Sequence, residues 1–146
     1  MADYGVILMV QLARTSTQRT TAAELAESTA LPLPTVSKLL KQLASAGLLL
    51  SHRGAAGGYG LSREPAEITV AQVIAALDGP IALTECITAD GAACEMEALC
   101  PTRTNWRQIN DALVGALEKV SVADMARPVF ETVPPAPTPR PVAAAV

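Results

Sequence analysis

The stretch from Leu31 to Ser62, "LPLPTVSKLLKQLASAGLLLSHRGAAGGYGLS", constrains the fold most, because its hydrophobic period changes partway along. Val36, Leu39, Leu40 and Leu43 recur at three- and four-residue intervals and predict one buried stripe of a helix. Pro34 fits a first helical turn, where its missing N–H costs nothing, and Gly47 sits where a helix C-terminal cap belongs. Two short strand-like pieces then flank a glycine-rich turn, which predicts a β-hairpin with Gly57 and Gly58 at positive-φ positions. Upstream, Thr21 and Glu24 form a capping-box pattern opening "AAELAEST". A short helix, a brief connection, a second helix and a hairpin follow the order of a winged helix–turn–helix. The competing reading is a generic small helical domain with a loop.

The rest of the chain agrees with a mainly α fold. Only four residues are aromatic while half are apolar, so the core is expected to be built from Ala, Leu, Val and Ile. "YGVILMVQLA" reads as a buried first helix. "ITVAQVIAALDGP" reads as a helix started at Thr69 and stopped by Gly79 and Pro80. The longest helix is expected from Thr104 to Val120. Its seam of Trp106, Ile109, Leu113, Leu117 and Val120 suits a partner helix and predicts a homodimer; the other reading packs the seam against its own domain. The expected division is a DNA-binding head over 1–65, a cysteine segment and dimerisation helix over 66–126, and a disordered Pro/Ala-rich tail over 127–146.

The net charge of −3 argues weakly against a nucleic-acid partner, but it hides an asymmetry. Residues 1–63 carry six Lys and Arg against three acids, and residues 64–146 carry five against eleven. A basic half on an acidic whole is what a DNA-binding head on a regulatory body shows, although bland surface variation gives the same split. Thr35, Ser37, Lys38 and Lys41 lie off the buried stripe and form the expected groove-facing side, with Arg53 on the hairpin. The chain has one histidine, His52, no Gly-x-Ser-x-Gly and no phosphate loop, so an enzyme is not expected. No apolar run reaches a membrane span and the start lacks a signal-peptide pattern, so a cytoplasmic protein is expected.

All three cysteines fall in "CITADGAACEMEALC", spaced Cys86-x7-Cys94-x5-Cys100. The segment has no periodicity and reads as a loop. In a reducing compartment, clustered thiols are ligands or redox sensors before they are staples. Thiolates suit iron in a cluster, and these spacings differ from the CxxC pairs of a zinc knuckle. Glu95 and Glu97 disfavour a free catalytic thiolate. An iron–sulphur cluster, another metal and a metal-free disulfide switch all stay open on these residues alone.

The hairpin and the cysteine loop together resemble the IscR/NsrR-type winged-helix transcription regulators, which bind iron–sulphur clusters. "ADYGVILMVQLA", "LPTVSKLLKQLASAGLL", "HRGAAGGYGLS" and the three cysteines followed by "PTRTNWRQINDAL" carry the likeness, from Ala2 to about Met125. Within the family the chain looks most like regulators of the SUF route of cluster assembly. The resemblance implies a cytoplasmic homodimer that binds double-stranded DNA at a two-fold symmetric operator. It implies a repressor of cluster-assembly genes that senses cluster status or redox stress. The implied cofactor is a cluster, 2Fe–2S ahead of 4Fe–4S, held by Cys86, Cys94 and Cys100.

Some members add a histidine three residues beyond the last cysteine; that place is Arg103, which has no lone pair to give. Others use a carboxylate in a motif like "ADYG", which makes Asp3 the fourth-ligand candidate, supplied by the partner subunit. Locally, Asp3 reads equally well as a helix N-cap. Family chains usually carry a few more residues before this motif, which makes Met1 a candidate internal start. Ser37 stands where the iron–sulphur regulator itself has a base-reading glutamate, and Arg53 matches the family's wing arginine. The alternatives are a nitric-oxide sensor of the same family, a cluster-free thiol-redox DNA-binding protein, and an iron–sulphur carrier with a vestigial head.

Overall fold

The computed structural model describes residues 1–15, 19–54, 57–84, 87 and 101–127. The expected tail beyond Arg127 and all three cysteines lie outside these residues.

Helix α1 spans Ala2–Arg14 and buries Gly5, Leu8, Met9 and Leu12. Tyr4 and Ile7 on the same helix are exposed, so its burial is one-sided rather than all round. Helix α2, Ala22–Thr29, opens with the expected capping box. The Thr21 hydroxyl accepts from the Glu24 N–H, and the Glu24 carboxylate accepts from the Thr21 N–H at 2.7 Å. It ends on Ala30 in the left-handed region, φ 55°, where glycine is usual.

Helix α3, Leu33–Ser45, buries Val36, Leu39, Leu40 and Leu43, the expected stripe. Pro34 lies in its first turn. Gly47, φ 75°, follows the C-cap Ala46. The Gly47 N–H donates to Ala44 O and the Leu48 N–H to Leu43 O, both at 3.0 Å, a Schellman closure that satisfies two terminal carbonyls.

Strands β1, Leu49–His52, and β2, Gly58–Leu61, pair antiparallel with Leu49 opposite Leu61 and His52 opposite Gly58. Thr20, just before α2, bridges to Tyr59 and adds a one-residue third strand that the sequence pattern did not reveal. A 3-10 turn, Pro65–Glu67, leads into helix α4, Val70–Asp78, which starts at Thr69 with a Gln72 capping box and stops at Gly79, as expected.

Helix α5 runs Arg103–Glu118, so it begins one residue earlier and ends two residues earlier than the seam predicts. The difference has a physical reason. Val120 is drawn into a bridge between Thr69 and Ser121: the Val70 N–H donates to Val120 O at 2.9 Å, and the Val122 N–H to Ile68 O at 2.8 Å. Helix α6, Val122–Ala126, follows with its own Ser121–Asp124 capping box. One hydrophobic core joins Leu8, Met9, Leu25, Leu39, Leu40 and Leu43 with Ile68, Val73 and Val122. No helix among the described residues is long and apolar enough to cross a membrane.

Candidate nucleic-acid interface and cysteine segment

The two sides of α3 divide the labour. Its apolar stripe is fully buried, which fixes the helix's rotation about its own axis. The residues off the stripe therefore face outward. Lys38 and Lys41 are exposed, while Thr35 and Ser37 are half-buried. Arg53, at the wing, is also exposed. Among the described residues none of these three cations has a carboxylate partner, so their charge is free for an anionic polymer.

The wing is held by backbone geometry. Gly54 takes φ 106° and Gly58 φ 155°. Gly57 does not have a positive φ, contrary to the expectation; it is needed because a Cβ there would lie 2.5 Å from His52 O. A Cβ at Gly58 would lie 3.0 Å from Thr20 O. The strand alternation turns Leu50 and His52 away from the core, and Leu49 into it. A trough of about 350 Å³ lies along the wing, lined among others by Arg19, Leu50, His52, Gly60, Ser62 and Arg63. Ser62 Oγ is buried and has no hydrogen-bond partner among the described residues.

Sequence reasoning passed over Arg19. The Thr20–Tyr59 bridge delivers it to the wing's edge, a consequence of a pairing 39 residues apart in sequence. Arg63 is less available, because its Nε donates to Glu67 O at 3.3 Å and its Nη2 to Gln72 Oε1 at 2.9 Å.

Of the proposed metal ligands, only Asp3 is described. It lies in the first turn of α1 with 68% of its side chain exposed, 3.5 Å from the Met1 ammonium. It is not an N-cap, so that alternative is corrected: the helix's N-cap is Met1, without a side-chain cap. Asp78 of α4 instead accepts from the Ala2 N–H at 3.1 Å, serving the orphan donor from outside the helix. Cys86, Cys94 and Cys100 lie outside the described residues. Among the described residues no group of three His, Cys, Asp or Glu side chains could hold a metal ion. The donor set that remains, three thiols with an exposed carboxylate as candidate, is chemically suited to iron.

The α5 seam is largely open. Trp106 and Ile109 are exposed, at 39% and 48%, and Leu113, Leu117 and Val120 are half-buried. Beside the seam, α5 packs on α4 and the stretch after it. There Asn110 is 5% exposed; its Nδ2 donates to Ile81 O at 3.1 Å and its Oδ1 accepts from the Leu83 N–H at 3.0 Å.

Two carboxyls are displaced from their ordinary range. The Thr21 backbone N–H and then its hydroxyl hold Glu24 low. The Ser121 hydroxyl, its backbone N–H and, less strongly, Arg127 hold Asp124 low. Both belong to helix caps rather than to a reactive site.

Comparison with known proteins supports the fold. A family model described as Rrf2, iron-dependent transcriptional regulator, matches residues 1–128. The HTH-type transcriptional regulator IscR of Photorhabdus laumondii is 32% identical over 123 residues, 84% of this chain and 74% of the relative. Among solved structures, CymR, the global cysteine regulator of Bacillus subtilis, is similar at a TM-score of 0.67 and 32% identity, covering 86% of this chain and 92% of that one. IscR of T. potens is similar at a TM-score of 0.64 and 30% identity, covering 85% and 81%.

Proposed function

This chain belongs to the Rrf2 family of DNA-binding transcriptional regulators, and on that premise we propose that it is a homodimeric repressor whose DNA affinity is set by an iron–sulphur cluster on its cysteine segment. It is a regulator and not an enzyme.

The observation that carries the reading is the pairing of an outward α3 face with an exposed wing arginine, on a chain whose only thiols cluster in one segment. In this reading residues 1–65 form the DNA-binding head, 66–126 the cysteine segment and dimerisation helix, and 127–146 a tail. Thr35 and Ser37 meet base edges, Lys38 and Lys41 meet phosphates, and Arg53 reaches a groove flank. Trp106, Ile109, Leu113, Leu117 and Val120 meet the partner's helix. A two-fold dimer then requires a two-fold symmetric operator. Cys86, Cys94 and Cys100 would hold the cluster, 2Fe–2S ahead of 4Fe–4S, with Asp3 of the partner subunit as fourth ligand. The cluster supplies an iron- and oxidant-sensitive occupancy signal. The regulated genes are then those of cluster assembly, and the compartment is the cytoplasm.

A second reading rests on the equal likeness to CymR. On that reading the thiols of this chain act without metal, and their oxidation sets DNA affinity. One experiment separates the two. Protein isolated without oxygen is assayed for iron, acid-labile sulphide and visible absorption, alone and as Cys86→Ala, Cys94→Ala and Cys100→Ala. The cluster reading expects a coloured wild type and three bleached variants. A wild type that stays colourless after anaerobic reconstitution overturns it and leaves the thiol reading.

A further inference from the structure

Asn110 is the one buried polar residue among those described, and the two residues beside it in sequence, Ile109 and Asp111, are exposed. A buried side-chain amide must be matched to partners, and this one is matched to backbone alone. Its donor goes to Ile81 O and its acceptor to the Leu83 N–H, at 3.1 and 3.0 Å, across 29 and 27 residues of sequence. The stretch it holds is neither helix nor strand, so these backbone groups have no ladder of their own to satisfy them. Leu83 is three residues before Cys86.

We propose that Asn110 is the positioning residue that couples the state of the cysteine segment to α5, by clamping the segment's point of departure onto that helix. The inference rests on the reading that the thiols carry the signal.

The geometry explains why α5 would feel that signal. The segment returns to α5 covalently at Arg103, seven residues before Asn110. At 1.5 Å per residue the two attachment points are roughly 10 Å apart along one helix. Any change that shortens or stiffens the segment therefore acts on two points of the same rigid rod. The clamp is also linked to α1 through α4. Ile81 lies three residues past Asp78, which accepts from the first N–H of α1. Leu77, near the end of α4, packs against Gly5 of α1, so a shift at the clamp would have a packed path to α1. Coupling of this kind needs two arrangements of the clamp that differ in affinity for the signal, and Asn110 is the contact that would differ.

The test uses the full chain, as wild type, Asn110→Ala and Asn110→Gln. Amide hydrogen exchange at Leu83 is read first, in the reduced, metal-free form. It should rise at least tenfold in Asn110→Ala, and an unchanged rate removes the clamp. DNA affinity is then read by titration in the metal-free reduced form and in the iron-reconstituted or thiol-oxidised form. Asn110→Ala should match the wild type within twofold in the metal-free form, while its ratio between the two states falls toward one. Asn110→Gln, which keeps both groups but displaces them, should fall between. A folded, dimeric Asn110→Ala with the wild-type ratio overturns the coupling. If Asn110→Ala does not fold, Leu83 exchange in the wild type decides: equal rates in the two states overturn the proposal. A wild type with one DNA affinity in both states instead removes the sensing reading, and Leu83 exchange in Asn110→Ala still judges the clamp.

Discussion

Thr20 and Tyr59 exchange two backbone hydrogen bonds: the Thr20 N–H donates to Tyr59 O at 3.1 Å and the Tyr59 N–H to Thr20 O at 2.9 Å. These two hydrogen bonds fasten the wing to the entrance of α2. The wing's position therefore depends on backbone fit, and glycines beside the pair set that fit.

Gly57→Ala should loosen the wing by roughly 1–3 kcal/mol, because the new Cβ meets backbone oxygens that cannot rotate away. Gly60→Ala is the control, since open space surrounds its Cβ position, and should change stability by less than about 0.5 kcal/mol. Hydrogen exchange at Tyr59 reads both. Equal protection in the two variants would contradict the steric account.

Lys41→Ala should weaken binding to operator and random DNA alike and reduce the slope of log K against log salt by about 1. Ser37→Ala should instead change preference at individual base pairs, by no more than ~1–3 kcal/mol each. Titration at several salt concentrations checks this. A Lys41→Ala variant with the wild-type slope would place the helix elsewhere on the DNA.

Ile109→Glu should convert a dimer to monomer without unfolding it, since the side chain is 48% exposed and leaves the core untouched. Sedimentation velocity gives the mass and circular dichroism the fold. Operator affinity should fall with the loss of the second head. A dimer that persists would mean that the seam is not the interface.

Acid should weaken two helix starts together. Glu24 and Asp124 bind protons less readily when folded, so their caps stabilise above the ordinary carboxylate range. That contribution is lost as pH falls through their lowered folded values. Glu24→Gln and Asp124→Asn keep a cap without a titrating group. In urea melts between pH 6 and pH 3, the double variant should show a shallower acid loss than the wild type.

Ala30→Gly should stabilise by up to about 1 kcal/mol, because Ala30 holds φ 55° and a left-handed conformation costs an L-residue roughly 1–2 kcal/mol, partly offset by glycine's added chain entropy. Ala23→Gly, on the exposed side of α2, should cost about 1 kcal/mol. Opposite signs in chemical denaturation are the expected result.

Local signals proved the readable ones. Thr21 with Glu24, Thr69 before a helix, Gly79 after it and the Val36–Leu43 stripe each report on neighbours within one or two turns, and each is found in place. The Schellman turn at Gly47 belongs with them. Features that join distant residues were not readable. Thr20 carries no mark of its bridge to Tyr59, and Asp78 none of its bond to Ala2. Asn110 looks like any polar residue on a helix, yet it is the most buried polar one described. Helix α6 did have a signal, the Ser121-x-x-Asp124 capping pattern, but five residues give too short a period to detect. Asp3 was legible as acidic and early, but whether it caps its own helix depends on Asp78, which arrives from α4.

Val122 has a consequence for how the protein is made. It completes the core that Leu8, Leu25 and Leu39 begin, so a growing chain holds an open apolar face until α6 has left the ribosome. Helix α3 is synthesised early, yet it gains its full support only after the cysteines and α5 exist. A chain that stops before Val122 therefore lacks one wall of the core against which Leu39 and Leu40 of α3 pack.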